Sequence, residues 1–172
     1  LMLNTGLNYK GISAVRYPRG NTNGSKKISC DDLLTIGKSK IINEGQHIAI
    51  LVFGVLLNNV IHISEKLSLT LVDMRFAKPL DNEVIDDISK KHDHIITIEE
   101  NVISGGAGSA VNEYINEKGY HVNVTNFGIP DKFISHGSQA ELYEEIGLDK
   151  KSLEFKINEI YNRIANDKKV VK

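Results

Sequence analysis

A single cysteine in 172 residues rules out an internal disulfide. Cys30 is followed by Asp31 and Asp32, an anionic setting that argues against a reactive thiolate, and a lone thiol fits a reducing compartment. Charge of one sign is missing too: 21 Lys and Arg against 22 Asp and Glu leave a formal net charge of −1. Neither nucleic acid nor an anionic membrane is an expected partner of so balanced a chain. The longest apolar run, 48–57, is about half of the ~20 residues that a membrane helix needs, and Gly54 interrupts it. Repeats of solenoid length are absent. Motifs that carry chemistry are sparse as well. The lysine of a phosphate-binding loop and the full dinucleotide glycine pattern are both missing, and no serine sits in a nucleophile elbow. His92 and His94 have no third partner at zinc-like spacing. They read as the end of a helix and the start of a strand, while His136 lies in a glycine-flanked loop with no evident partner.

What is present is enough for one full domain. Hydrophobic content of 41% and charged content of 25% fit a globular chain with a sizeable core. From residue 35 onward, strand and helix patterns alternate. Strands are expected at Gly37–Ile42, His47–Phe53, Leu69–Asp73, Ile95–Glu99 and Val122–Phe127. The second is apolar enough to be covered on both faces. Helical spacing of Leu56, Leu57, Val60 and Ile61 predicts a helix from Val55, and Asp81 is placed to N-cap another that buries Val84, Ile85 and Ile88. A helix from Gly106 or Ala107 puts Ala110, Val111, Tyr114 and Ile115 on one stripe. Ser138 and Glu141 have capping-box spacing and open a short helix that ends at Gly147. The last helix buries Leu153, Ile157 and Ile160, with Glu159 and Arg163 spaced as a favourable pair. This alternation predicts an α/β sandwich with a largely parallel sheet, in which the pairing of the first strand stays open. Ahead of it, 1–9 reads as the last turns of a helix and Gly11–Tyr17 as a strand, followed by a polar linker at 20–27. One helix and one strand bury no core alone, so the chain reads as beginning inside a longer protein.

Three constellations are candidate sites. Gly105–Gly108 joins a strand to a helix, where free N–H groups favour an anion; the competing reading is a tight strand-to-helix turn. Glu99 and Glu100 are adjacent at a strand end, so they point to opposite sides and do not share a proton. One of them is expected to meet a neighbouring domain or Arg75. Asp73, Arg75, Lys78 and Asp81 crowd the end of a parallel strand, where open sheets place ligands; an interdomain ion-pair network fits them better.

The most informative stretch is Ala14-Val15-Arg16-Tyr17-Pro18-Arg19-Gly20-Asn21. Pro18 fixes its own φ and extends Tyr17, which holds Arg19 on a stiff corner suited to bidentate capture of a phosphate or carboxylate. An ordinary surface turn with local ion pairs is the alternative. Three further blocks follow in order: Leu71 to Asp81 (LVDMRFAKPLD), Ile98 to Asn101 running into Gly105–Ser109, and Gly128 to Ile134 (GIPDKFI). Together the four resemble the 1-deoxy-D-xylulose-5-phosphate synthase family, thiamine-diphosphate enzymes of the transketolase superfamily.

The resemblance implies a three-layer α/β/α sandwich over 35–172 with a five-stranded, mostly parallel sheet, its first strand antiparallel. It implies that 1–20 is the helix-strand tail of a pyrimidine-binding domain and 21–34 a linker. It implies a C-terminal portion of an enzyme that condenses pyruvate with D-glyceraldehyde 3-phosphate, for isoprenoid, thiamine and pyridoxal synthesis. Thiamine diphosphate and Mg²⁺ would be bound by domains outside this chain, with no catalytic, cofactor or metal residue within it. Arg19 would hold the acceptor phosphate, with Arg16 secondary, and the 172 residues alone would be inactive. The implied partners are the remaining domains of the same enzyme, a second copy in a homodimer and small-molecule substrates. The implied location is the cytoplasm in a bacterium and a plastid otherwise. Two other readings stay open: a separate subunit of a split transketolase-like enzyme, and a non-catalytic anion-binding α/β module.

Overall fold

A computed structural model describes residues 1–18 and 32–170. Arg19, Cys30 and the expected linker at 20–27 lie outside the described residues. In chain order the elements are α1 (Met2–Asn8), β1 (Lys40–Asn43), β2 (Ile48–Phe53), α2 (Leu57–Lys66), β3 (Thr70–Asp73), α3 (Asn82–Lys91), β4 (His94–Val102), α4 (Ala107–Lys118), β5 (Asn123–Ile129), α5 (Gln139–Ile146) and α6 (Lys150–Val170).

The strands form one sheet in the order β1-β3-β2-β4-β5. β2, β3, β4 and β5 run parallel, and β1 pairs antiparallel with β3, which settles the pairing that the sequence left open. Successive side chains of a strand face opposite ways, and the apolar run of β2 serves both faces. Ile48, Ile50 and Val52 enter a core with Leu56, Val60 and Ile63 of α2 and Leu153 and Ile157 of α6. Ala49 and Leu51 enter a second core with Ile85 and Ile88 of α3 and Val111 and Ile115 of α4. The result is the expected three-layer sandwich. All five of those β2 residues are fully buried, so truncating Leu51 to Ala is expected to cost about 2–5 kcal/mol.

Two local expectations change. Residues 12–18 carry neither helix nor strand, where the sequence suggests a strand over Gly11–Tyr17. A strand needs a neighbour for its backbone groups, and every ladder among the described residues lies between β1 and β5. In α6 the pair that comes within ion-pair distance is Lys150–Glu154 at 4.0 Å rather than Glu159–Arg163. No helix among the described residues is long and apolar enough to cross a membrane.

Candidate functional site

The sheet order sets where a ligand crevice would fall. From central β2 the chain passes through α2 to β3 on one side, then through α3 to β4 on the other. α2 and α4, which follow the adjacent strands β2 and β4, cover opposite faces. Open α/β sheets bind ligands at the carboxyl ends of strands where the order reverses in this way. Here that is the region around Val55 after β2 and Glu99–Gly106 at the end of β4.

Glu99 fills the anion position of this crevice. It is 3% exposed, and its carboxylate accepts from the Ala107 N–H (Oε2, 2.8 Å) and the Gly108 N–H (Oε1, 2.8 Å). Those are the first two amides of α4, the donors that a helix N-terminus offers to an anion. The glycines make room for it. A Cβ at Gly106 would lie 2.4 Å from Glu99 Oε2, and one at Gly108 would lie 2.4 Å from Thr97 Oγ1. The Gly105–Gly108 turn therefore seats the chain's own carboxylate, and the tight-turn reading is the correct one.

Glu100 points the other way, as adjacent strand residues must. β4 and β5 are in register at Ile98–Phe127 and again at Val102–Ile129, with Glu99, Glu100 and Asn101 opposing Gly128 alone. This bulge takes Glu100 out of the ladder and frees its carbonyl. That carbonyl accepts from Arg16 Nη2. On the side chain, Tyr143 O–H donates to Glu100 Oε1 (2.5 Å) and Gln139 Nε2 donates to the same oxygen (3.3 Å). Gln139 Nε2 also donates to the Tyr143 oxygen (2.9 Å), which closes a triangle. Burial, then the hydrogen bond and charge of Glu100, push the Tyr143 phenol well above its ordinary 10.0. Tyr143 thus stays protonated as the donor. Both α5 residues are fixed by the Ser138–Glu141 capping box, which forms as expected.

Arg16 is thereby placed at the carboxyl end of the sheet, while Arg19 lies outside the described residues. A cavity of about 460 Å³ separates 1–3 from 15–18 and Val55. Tyr17 is exposed. The sequence expectation for Arg75 does not hold: it pairs with Asp73 (3.5 Å) and not with Glu99 or Glu100. The Asp73–Asp81 group divides in two. Asp81 accepts from the Ser39 N–H (2.8 Å) and Oγ–H (2.9 Å), with Lys38 Nζ at 3.6 Å. Burial works to raise its pKa, but the Ser39 bonds and Lys38 outweigh it and hold the carboxylate below its ordinary 3.8. Asp81 stands at the N-cap of α3 but makes no side-chain cap bond; both Ser39 donors converge on its Oδ2, and Lys38 faces its Oδ1. His92 and His94 are held by structural contacts, while His136 is exposed. His92 meets Ile88 O (3.1 Å) and Thr70 Oγ1 (2.8 Å), and His94 meets Thr125 Oγ1 (2.9 Å). Among the described residues no three His, Cys, Asp or Glu side chains are grouped to hold a metal.

The family profile "Transketolase, C-terminal domain" matches residues 37–153, the whole sheet together with α2 to α5. The chain belongs to the transketolase C-terminal domain family. Within that family it resembles 1-deoxy-D-xylulose-5-phosphate synthases. It is 48% identical to the one from Mannheimia succiniciproducens over 167 residues, 96% of this chain and 26% of the relative. It is 49% identical to one from Haemophilus influenzae over 156 residues, 91% of this chain and 25% of the relative. The chain therefore spans about a quarter of the length of the curated relatives it matches. Among solved structures, "Split gene transketolase, inactive beta4 tetramer" superposes with a TM-score of 0.67 at 25% identity, covering 78% of this chain and 46% of that one. At the carboxyl end of the sheet, this transketolase C-terminal domain seats Glu99 on the amides that open α4 and Arg16 of the N-terminal segment on the Glu100 carbonyl.

Proposed function

We propose that these residues form the C-terminal portion of a 1-deoxy-D-xylulose-5-phosphate synthase, which joins pyruvate and D-glyceraldehyde 3-phosphate with loss of carbon dioxide. The similarity to synthases from several bacteria, over nearly the whole chain, carries the reading. Thiamine diphosphate, with Mg²⁺, supplies the carbonyl chemistry of such enzymes. The described residues do not fit it: the helix terminus that would take a diphosphate already holds Glu99. The cofactor belongs to parts of the enzyme outside this chain.

The role left to this chain is docking and acceptor capture. Leu7, Ile12 and Phe133 are 85%, 101% and 105% exposed, apolar side chains that a neighbouring domain would cover. Arg19 holds the phosphate of glyceraldehyde 3-phosphate, with Arg16 secondary, its guanidinium resting on the Glu100 carbonyl of β4. Fixing the phosphate orients the aldehyde, so part of its binding energy acts on rate. Arg19→Ala in the full-length enzyme is expected to raise the KM for glyceraldehyde 3-phosphate roughly 10- to 100-fold, the worth of a hydrogen bond to a charged group. The KM for pyruvate should hardly move. Unchanged acceptor kinetics would remove the assignment. The 172 residues alone are expected to show no turnover with both substrates, thiamine diphosphate and Mg²⁺.

A second reading, a separate subunit of a split transketolase-like enzyme, is favoured by the superposition on a split-gene transketolase. The intact mass of the source protein separates the two: a parent several-fold heavier than 19.1 kDa supports the synthase. The anion-binding module is disfavoured, because Glu99 occupies the amides it would use.

A further inference from the structure

The two edges of the sheet are built differently. β1, at one edge, is four residues long, carries Lys40 and meets β3 through an irregular register, devices that blunt an edge against further pairing. β5, at the other, is seven residues long and holds neither charge nor proline. Its ladder to β4 runs unbroken from Asn123 to Phe127, and no strand among the described residues pairs with its outer side. Such an edge presents a row of free backbone N–H and C=O groups. Beside it, under α6, lies a groove of about 430 Å³ lined by Thr125, Phe127, Lys156, Glu159, Ile160 and Arg163. Thr125 and Phe127 are alternate residues and face the same way, while Val124 and Asn126 turn to the α4 side. Phe127 and Ile160 pack in the core of α2 and α6, and Thr125 is bonded to buried His94 (2.9 Å), so the floor is fixed. The charges above it have no match within the chain. Lys156 Nζ donates to the Gly147 carbonyl (2.8 Å) and lies over the Phe127 ring, with no carboxylate opposite. Glu159 and Arg163 enter no ion pair among the described residues. The charge of Arg163 acts on His94, which directs it at the strand.

We propose that this groove is a docking site for an extended peptide segment, which adds to the outer edge of β5 as a sixth strand and sets acidic side chains against Lys156 and Arg163. Backbone pairing with β5 supplies the affinity, and the α6 charges choose the sequence. Alternate side chains of an added strand face α6. Three of them cover about 13 Å at ~3.3 Å per residue, close to the ~10 Å of helix between Lys156 and Arg163. The order that complements Lys156, Glu159 and Arg163 is acidic, basic, acidic. The partner that fits is therefore an extended segment in which those three charges occupy alternate positions.

The probe is an end-blocked heptapeptide in which glutamate, lysine and glutamate alternate with valine, titrated into the isotope-labelled chain and followed by amide NMR. Saturable shifts are expected along Asn123–Ile129. Arg163→Gln and Lys156→Gln should each weaken binding roughly two- to fivefold, the worth of a partly exposed ion pair. A peptide with all three charges reversed should bind more weakly than the probe by more than either single change. Strand addition has its own signature, because alternate amides of an added strand face β5. N-methylation of every second amide should abolish binding in one of the two sets and spare it in the other. No saturable shift in β5 at millimolar peptide overturns the proposal and leaves the α6 charges as a guard over the edge. Equal effects of the two N-methylated sets overturn strand addition. Binding that ignores Arg163→Gln, Lys156→Gln and charge reversal alike overturns the acidic partner. A dimer of the chain in sedimentation, with β5 amides protected and unmoved by the peptide, gives the edge to a second copy and overturns the proposal as well.

Discussion

Two neighbouring glutamates show how much one position decides. Glu99 is buried and serves two amides, while Glu100 is half-buried and serves Tyr143 and Gln139. Removing the first carboxylate leaves two helix donors without an acceptor, each worth roughly 1–3 kcal/mol when buried. Glu99→Ala is therefore expected to lower the unfolding free energy by about 2–5 kcal/mol in urea titrations, and Glu99→Gln by less. A loss under about 0.5 kcal/mol, the size of an ordinary surface change, would show that water serves those amides equally well. His94 gives the pH counterpart. Burial, then the charge of Arg163, depresses its pKa below the ordinary 6.5. The unfolded chain then binds the proton more readily, so stability is fully present above that value and falls with pH below it, down to the folded pKa. Melting temperature should decline as the pH falls below about 6.5, and His94→Gln should flatten that decline. Equal slopes in the two proteins would assign the decline to other groups.

At the scale of elements, α5 ties local stability to the candidate site. Ser138→Ala removes the acceptor for the Glu141 N–H and one half of the box. The expected cost is about 1 kcal/mol in urea or thermal unfolding. An unchanged unfolding free energy would show that the box adds nothing to α5. This helix, like the others, was readable in the sequence because caps and hydrophobic period act within a few residues. The alternation of strands and helices gave the layers, and Glu99 and Glu100 were rightly set on opposite sides. Strand ends were less legible. The bulge extends β4 to Val102, beyond the Glu99 that the apolar pattern suggested, since a bulge depends on the partner strand. The apolar stretch Ile12 to Val15 has strand composition, yet composition cannot supply a ladder partner.

Across the whole molecule, both cores are built from residue 42 onward. The N-terminal segment adds the Leu34 N–H to Thr5 Oγ1 bond (2.9 Å) and the Arg16 contact. Residues 32–172 alone are thus expected to melt within about 5 °C of the full chain, the equivalent of about 1 kcal/mol in a domain of this size. A drop several times larger would make the segment part of the folding unit. The site was only partly visible in the sequence for the same reason of distance. Arg16 stood out within its own motif, whereas its partners lie near 100 and 140, and no local pattern links positions so far apart. The Glu99 seat has one more consequence. A helix end that borrows its anion from solution grows more stable as that anion accumulates and less stable as it is consumed. This domain carries its anion on a side chain of its own, Glu99, at a fixed and high effective concentration. Its stability is therefore indifferent to the rise and fall of small anions such as phosphate around it.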